Sequence, residues 1–125
     1  MLALPPTSCW IRWILFACAV VVQLIALYSP SGPGRGEGIP HLDKVGHFAT
    51  FATVALTAGW LGFRWWVIAA ALVANAAISE IWQGLLLAER SGDPFDFLAD
   101  VAGIAAGLLA ARWTSAARRS GRPIS

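Results

Sequence analysis

Charge is scarce in this chain. Of its 125 residues only 13% are charged, against 58% hydrophobic, and the mean hydropathy is +0.65. Soluble domains carry about one-quarter charged residues, so a water-soluble globule is a poor fit. A formal charge of +2 and the lack of a basic aromatic platform count against nucleic acid as a partner. Cysteine is nearly absent. Cys9 and Cys18 stand about 13 Å apart along one helix, so they cannot bridge each other. They form no C-x-x-C metal or redox pattern, and no other spacing assigns a metal. No G-x-S-x-G nucleophile motif occurs, and "GPGRGEG" reads as a flexible loop without phosphate-loop spacing. The chain is short enough that residues 1–125 form a single domain.

Proline is absent from four stretches, and those are the apolar ones. They are Trp10–Tyr28, Val45–Phe63, Trp65–Leu87 and Phe95–Trp113. Each approaches the roughly 20 residues that cross a hydrocarbon core of about 30 Å. A proline inside such a helix would remove a backbone bond that lipid cannot replace. The pattern predicts an all-α, four-helix transmembrane bundle, with Arg64 alone or nearly so joining the second and third helices. Small residues in "SPSGPGRGEG" would suit signal-peptide cleavage after the first run. That run is long for a signal core, however, and carries Arg12 just inside its start, so a retained helix is expected.

Lys and Arg set the orientation. With four spans the termini share a side, with Arg12, Arg64, Arg112, Arg118, Arg119 and Arg122. Only Arg35, Lys44 and Arg90 fall on the other. The positive-inside rule then predicts cytoplasmic termini. Six of the seven tryptophans gather at the cytoplasmic helix ends, and Trp82 lies near the outer end.

Every acidic residue falls on or near the outer side. At a rise of 1.5 Å per residue, His47 and Glu80 lie about 26 and 24 Å from Arg64, and Asp96 lies about 26 Å from Trp113. Three helices thus bring His47, Glu80 and Asp96 to one level. Asp100 lies about 6 Å deeper. Asp43 and His47 share a face, with Lys44 beside them. Asp96, Asp100, Gly103 and Gly107 share a stripe whose G-x-x-x-G step lets another backbone approach closely. On the third helix Glu80 and Gln83 are three apart, beside a polar row of Asn75, Ser79 and Gln83. Lys44, Arg90 and His47 are the partners on hand for the carboxylates. Like charges as close as Asp96 and Asp100 disfavour double ionisation. Asp100 is therefore expected to be protonated unless a cation or basic side chain reaches it.

These residues resemble a known family. "LDKVGHFATFATVAL", with Asp43, Lys44, His47 and Phe48, looks like the D-K-x-x-H-F signature of VanZ-like membrane proteins. "SEIWQ", with Glu80 and Gln83, is similar to their E-x-x-Q element. "RSGDPFDFLADVAGIAAG", with Arg90, Asp93 and Asp96, resembles their closing block R-x-x-D-x-x-D-x-x-x-N-x-x-G. The likeness spans about Leu42 to Leu108, and the motifs stand in family order. Asp100 departs from it, standing where the family usually has asparagine. The resemblance implies a multi-pass protein of the bacterial cytoplasmic membrane. The family's namesake is linked to resistance to the lipoglycopeptide teicoplanin.

Simpler roles exist for single residues. Asp43 and Lys44 suit a helix cap, Asp96 likewise, Asp93 before Pro94 suits a turn, and the glycine step suits plain packing. Several polar residues from three helices at one depth are poorly explained as independent caps. Asp43, Lys44, His47, Glu80, Gln83, Arg90, Asp93, Asp96 and Asp100 are therefore the candidate cluster. It fits a pocket that binds a membrane lipid or a lipid-linked or lipidated envelope molecule. The alternative is an enzyme acting on a lipid-linked substrate, in which one His with several carboxylates could bind a divalent cation such as Mg²⁺ or Mn²⁺. A proton or ion pathway is the third class. It fits less well, because the cytoplasmic halves are nearly all Ala, Val, Leu and Trp.

Overall fold

The computed structural model describes residues 6–29, 42–86 and 94–120. These form four helices: α1 (Pro6–Tyr28), α2 (Leu42–Trp60), α3 (Trp65–Leu86) and α4 (Pro94–Ser120). Pro6 and Pro94 open α1 and α4, where a missing backbone N–H loses no helical bond.

Among the described residues three helices are long and apolar enough to cross a membrane: Cys9–Tyr28, Trp65–Leu86 and Pro94–Ala116. Polarity runs inside out. On α3 Ile78, Ile81 and Leu85 point outward, Leu85 being 78% exposed, while Ser79 and Gln83 are buried. Contiguous outward apolar surface of this kind marks contact with membrane or partner. Apolar side chains turned outward and polar ones inward would be costly in water and suit a hydrocarbon surround.

The helix ends correct the sequence reading. α2 stops at Trp60 rather than Phe63, and four residues, Leu61 to Arg64, lead to α3. Gly62 takes φ +89°, the left-handed conformation that glycine adopts most readily. Gly62 N–H donates to Gly59 O (3.1 Å) and Phe63 N–H to Ala58 O (3.4 Å). That pair of bonds is a Schellman C-cap. α4 runs on past Trp113 to Ser120. Ala and Arg are strong helix formers, so the helix outlasts the apolar stretch that marked its end in the sequence.

α2 packs most extensively on α4, running parallel to it. Small residues make this possible. A Cβ on Gly103 would fall on the Phe48 carbonyl, one on Gly107 on the Ala52 carbonyl, and one on Gly59 on the Ala111 methyl. The G-x-x-x-G stripe therefore faces protein, as its spacing predicts. Phe51, Val54, Ala55 and Ala58 of α2 form the dry centre with Leu27, Ile68, Leu72, Ala76 and Ile104.

Candidate functional site: a buried histidine–carboxylate cluster

The close approach of α2 and α4 sets the register of what lies beyond it. His47 precedes Phe48 on α2, and Asp100 lies one turn before Gly103 on α4. With the two backbones in contact there, the side chains meet. His47 Nδ1 lies 2.7 Å from Asp100 Oδ1. The other ring nitrogen, Nε2, lies 3.9 Å from Asp96 Oδ2. Lys44 Nζ stands 3.5 Å from Asp96 Oδ1. One imidazole thus sits between two carboxylates, and an ammonium stands against the second.

Burial is deep. Asp100 is 0% exposed, Asp96 3% and His47 5%. Lys44 is only partly buried, so its stem can carry the ammonium toward the interface. Glu80 approaches from α3. One ligand atom each from His47, Glu80 and Asp100 lies within 4.8 Å of the other two. Three helices therefore converge where α2 and α4 begin and α3 ends.

The depth estimate paired His47 most closely with Asp96. Its shortest contact is instead with Asp100. Rise per residue measures position along a helix, and helices packed at an angle bring unequal depths together. Asp100 is accordingly reached by a basic side chain, the circumstance in which the sequence did not require it to be protonated.

Gln83 belongs elsewhere. Its Nε2 donates to Leu27 O of α1 at 2.8 Å. The adjoining polar row also turns away from the cluster. Asn75 Nδ2 donates to Gln23 Oε1 (3.2 Å), Tyr28 Oη donates to Asn75 Oδ1 (2.8 Å), and Ser79 Oγ donates to Ala76 O in its own helix (2.9 Å). Asn75 and Gln83 are therefore glue between α1 and α3, a common use of polar side chains between membrane helices. Gln23 and Tyr28 were not picked out from the sequence. A lone glutamine in the run "AVVVQLIALY" was the available signal. Arg90 and Asp93 lie outside the described residues, as does the side chain of Asp43.

A second feature shares α2 with the cluster. A groove of about 610 Å³ runs between α1 and α2 from Ala49 and Thr50, within a turn of His47, to Trp60. Leu15, Cys18 and Val22 form its α1 wall. The chain matches no protein-family model, no curated protein and no solved structure.

Proposed function

We propose that the chain is a VanZ-like protein of the bacterial cytoplasmic membrane, a four-helix transmembrane bundle with cytoplasmic termini. In this reading its polar cluster lies at the outer end and holds the head group of an envelope lipid or lipidated molecule. The observation that carries it is the joint burial of His47, Asp96 and Asp100 within helices whose apolar faces point outward. Ionisable groups inside a membrane are expensive, and they mark binding sites or ion paths. The core beyond the cluster is Phe51, Val54, Ala58, Ile68, Leu72 and Ile104, which favours a binding site over a conducting path. The apolar groove one turn from His47 supplies a bed for an acyl chain. α2 serves as the fourth span because its most polar described residues, Lys44 and His47, turn toward α4.

Lipid mass spectrometry of the purified protein tests this, with and without Asp96→Asn. The wild type should retain one lipid class above its share of the bulk membrane, and the folded variant should lose it. A wild type whose lipids mirror the bulk membrane ends the binding reading. The close His47–Asp100 pair favours a second reading, an enzyme in which a carboxylate orients the imidazole for acid–base work. A chemically altered envelope lipid in cells expressing the wild type but not the variant would select it.

Topology is checked separately. Reporter fusions after Ser125 and within the segment Gly32 to Gly38 should report cytoplasm and exterior respectively. A C-terminus found outside would put the cluster on the cytoplasmic side and remove the envelope ligand from reach.

A further inference from the structure

The groove between α1 and α2 is less polar than its residues suggest. Thr50, Thr53 and Thr57 stand on its α2 wall. Each hydroxyl donates to a carbonyl of its own helix: Thr50 to His47 O (3.1 Å), Thr53 to Ala49 O (2.7 Å) and Thr57 to Thr53 O (2.8 Å). Their donors are thus spent within the helix, and Leu15, Ala19 and Val22 opposite have none to give. The length of the groove is also telling. At 1.5 Å per residue the α2 wall from Ala49 to Trp60 is about 16 Å long. Half of a hydrocarbon core of about 30 Å is about 15 Å. The groove is therefore as long as one leaflet is deep, which is the reach of an acyl chain.

A charge stands at one end. Arg12 precedes Leu15 by three residues, Ala19 by seven and Val22 by ten, so it continues the α1 stripe that lines the groove. Its Nη1 donates to Trp60 O, 3.1 Å away, and Trp60 is the last lining residue of α2. Trp60 is held in turn, because its Nε1 donates to Thr114 Oγ1 of α4 at 2.8 Å. The guanidinium is thus fixed where the groove ends. Capping is the simpler role, since a cation there complements the negative end of α2. Capping takes a single N–H, however, and the rest of the planar fork matches the oxygens of a phosphate. Arg12 is partly exposed, and Glu80, Asp96 and Asp100 gather around His47 at the opposite end of α2. Trp10, Trp13 and Trp60 surround its level, and tryptophans of this kind mark the depth of lipid head groups.

We propose that this groove holds an acyl chain of an anionic phospholipid, with the lipid phosphate on the Arg12 guanidinium. An apolar slot of leaflet length supplies the bed, and an arginine at its end supplies the anchor. The proposal goes beyond the outer pocket, whose ligand needs no chain in this groove. α1 lies outside the Leu42 to Leu108 resemblance, so nothing in that resemblance assigns this site. The proposed topology enters only in naming the leaflet, which is the cytoplasmic one.

The test uses the full chain, delipidated in detergent and given dioleoyl phosphatidylglycerol or dioleoyl phosphatidylcholine, which differ in head group alone. Native mass spectrometry counts the bound lipid. The wild type should prefer phosphatidylglycerol by about five-fold or more, the effect of one arginine at an anionic head group. Arg12→Gln should hold the two lipids equally, and Arg12→Lys, which keeps the charge, should keep the preference. Thr53→Phe, at an exposed position on the groove wall, should weaken both lipids alike in protein that is still helical. In Cys9→Ser protein, bound phosphatidylglycerol should slow maleimide attack on Cys18, which lines the groove. Equal binding of the two lipids by the wild type, or a preference kept by folded Arg12→Gln, would overturn the anchor and leave Arg12 a helix cap. An unchanged Cys18 rate, or full binding by Thr53→Phe, would overturn the groove as the bed. A dimeric wild type that Thr53→Phe makes monomeric would give the groove to a second copy of the chain. Asp96→Asn should leave the preference intact, and its loss there would give the lipid to the polar cluster instead. A preference that survives where no native lipid class depends on Asp96 would end the outer-pocket reading and leave this one standing.

Discussion

Gly107→Val should break the α2–α4 contact and cost more stability than any other single change in the dry half of the protein. A Cβ at Gly107 would fall on the Ala52 carbonyl and lie 2.8 Å from the Ala55 methyl. Backbone cannot step aside as a flexible side chain can, so the helices must separate. Overpacking in a tight core costs about 1–3 kcal/mol, and valine adds two further methyls in the same place. Gly103→Val should behave alike, because its Cβ would meet the Phe48 carbonyl. Gly46→Ala is the control. Nothing lies within 4 Å of the Cβ it would add, and alanine in a helix is favoured over glycine by up to about 1 kcal/mol. Thermal unfolding in detergent should therefore rank Gly46→Ala at or above the wild type and Gly107→Val far below it. Equal midpoints for the two would mean that α2 and α4 are not held backbone to backbone. The same contact sets the site. Any separation at Gly103 and Gly107 is passed to Asp100 and His47 one turn away, so their contact should loosen as stability falls.

That link explains which parts of the molecule were legible in the sequence. Apolar length and missing proline gave four helices, because a membrane allows a helix few ways to satisfy its backbone. The glycine stripe could be read because Gly103 and Gly107, spaced four apart, have no packing role except toward another backbone. Lys44, His47, Glu80, Asp96 and Asp100 could be read as one group because ionisable residues are scarce among the apolar ones. Helix ends were less legible. Pro6 lies beyond the first apolar run and Ser120 well past the fourth, and helix propensity rather than hydrophobicity decides there. The partner of each polar residue was the least legible. Gln83 shares spacing with Glu80, yet it reaches α1, because three residues on a helix still differ by about 60° in direction. Which carboxylate meets the histidine depends on how α2 and α4 cross, and no single helix encodes that.

His47→Leu should be the most damaging change in the polar half, and Asp100→Asn should repair it. Removing one partner of a buried pair costs about 3–5 kcal/mol, because the other is left charged without compensation. Asp100 is 0% exposed and 2.7 Å from the histidine, so water cannot replace the ring. In the double variant the amide at position 100 carries no charge, and the penalty should shrink to that of an imperfectly bonded polar group, about 1–3 kcal/mol. Asp100→Asn alone should unfold near the wild type, since an amide oxygen accepts from Nδ1–H as a carboxylate does. Thermal unfolding of the four proteins, wild type, two singles and the double, gives the coupling energy, expected at about 1–3 kcal/mol. Additive losses would mean that His47 and Asp100 do not act as a pair.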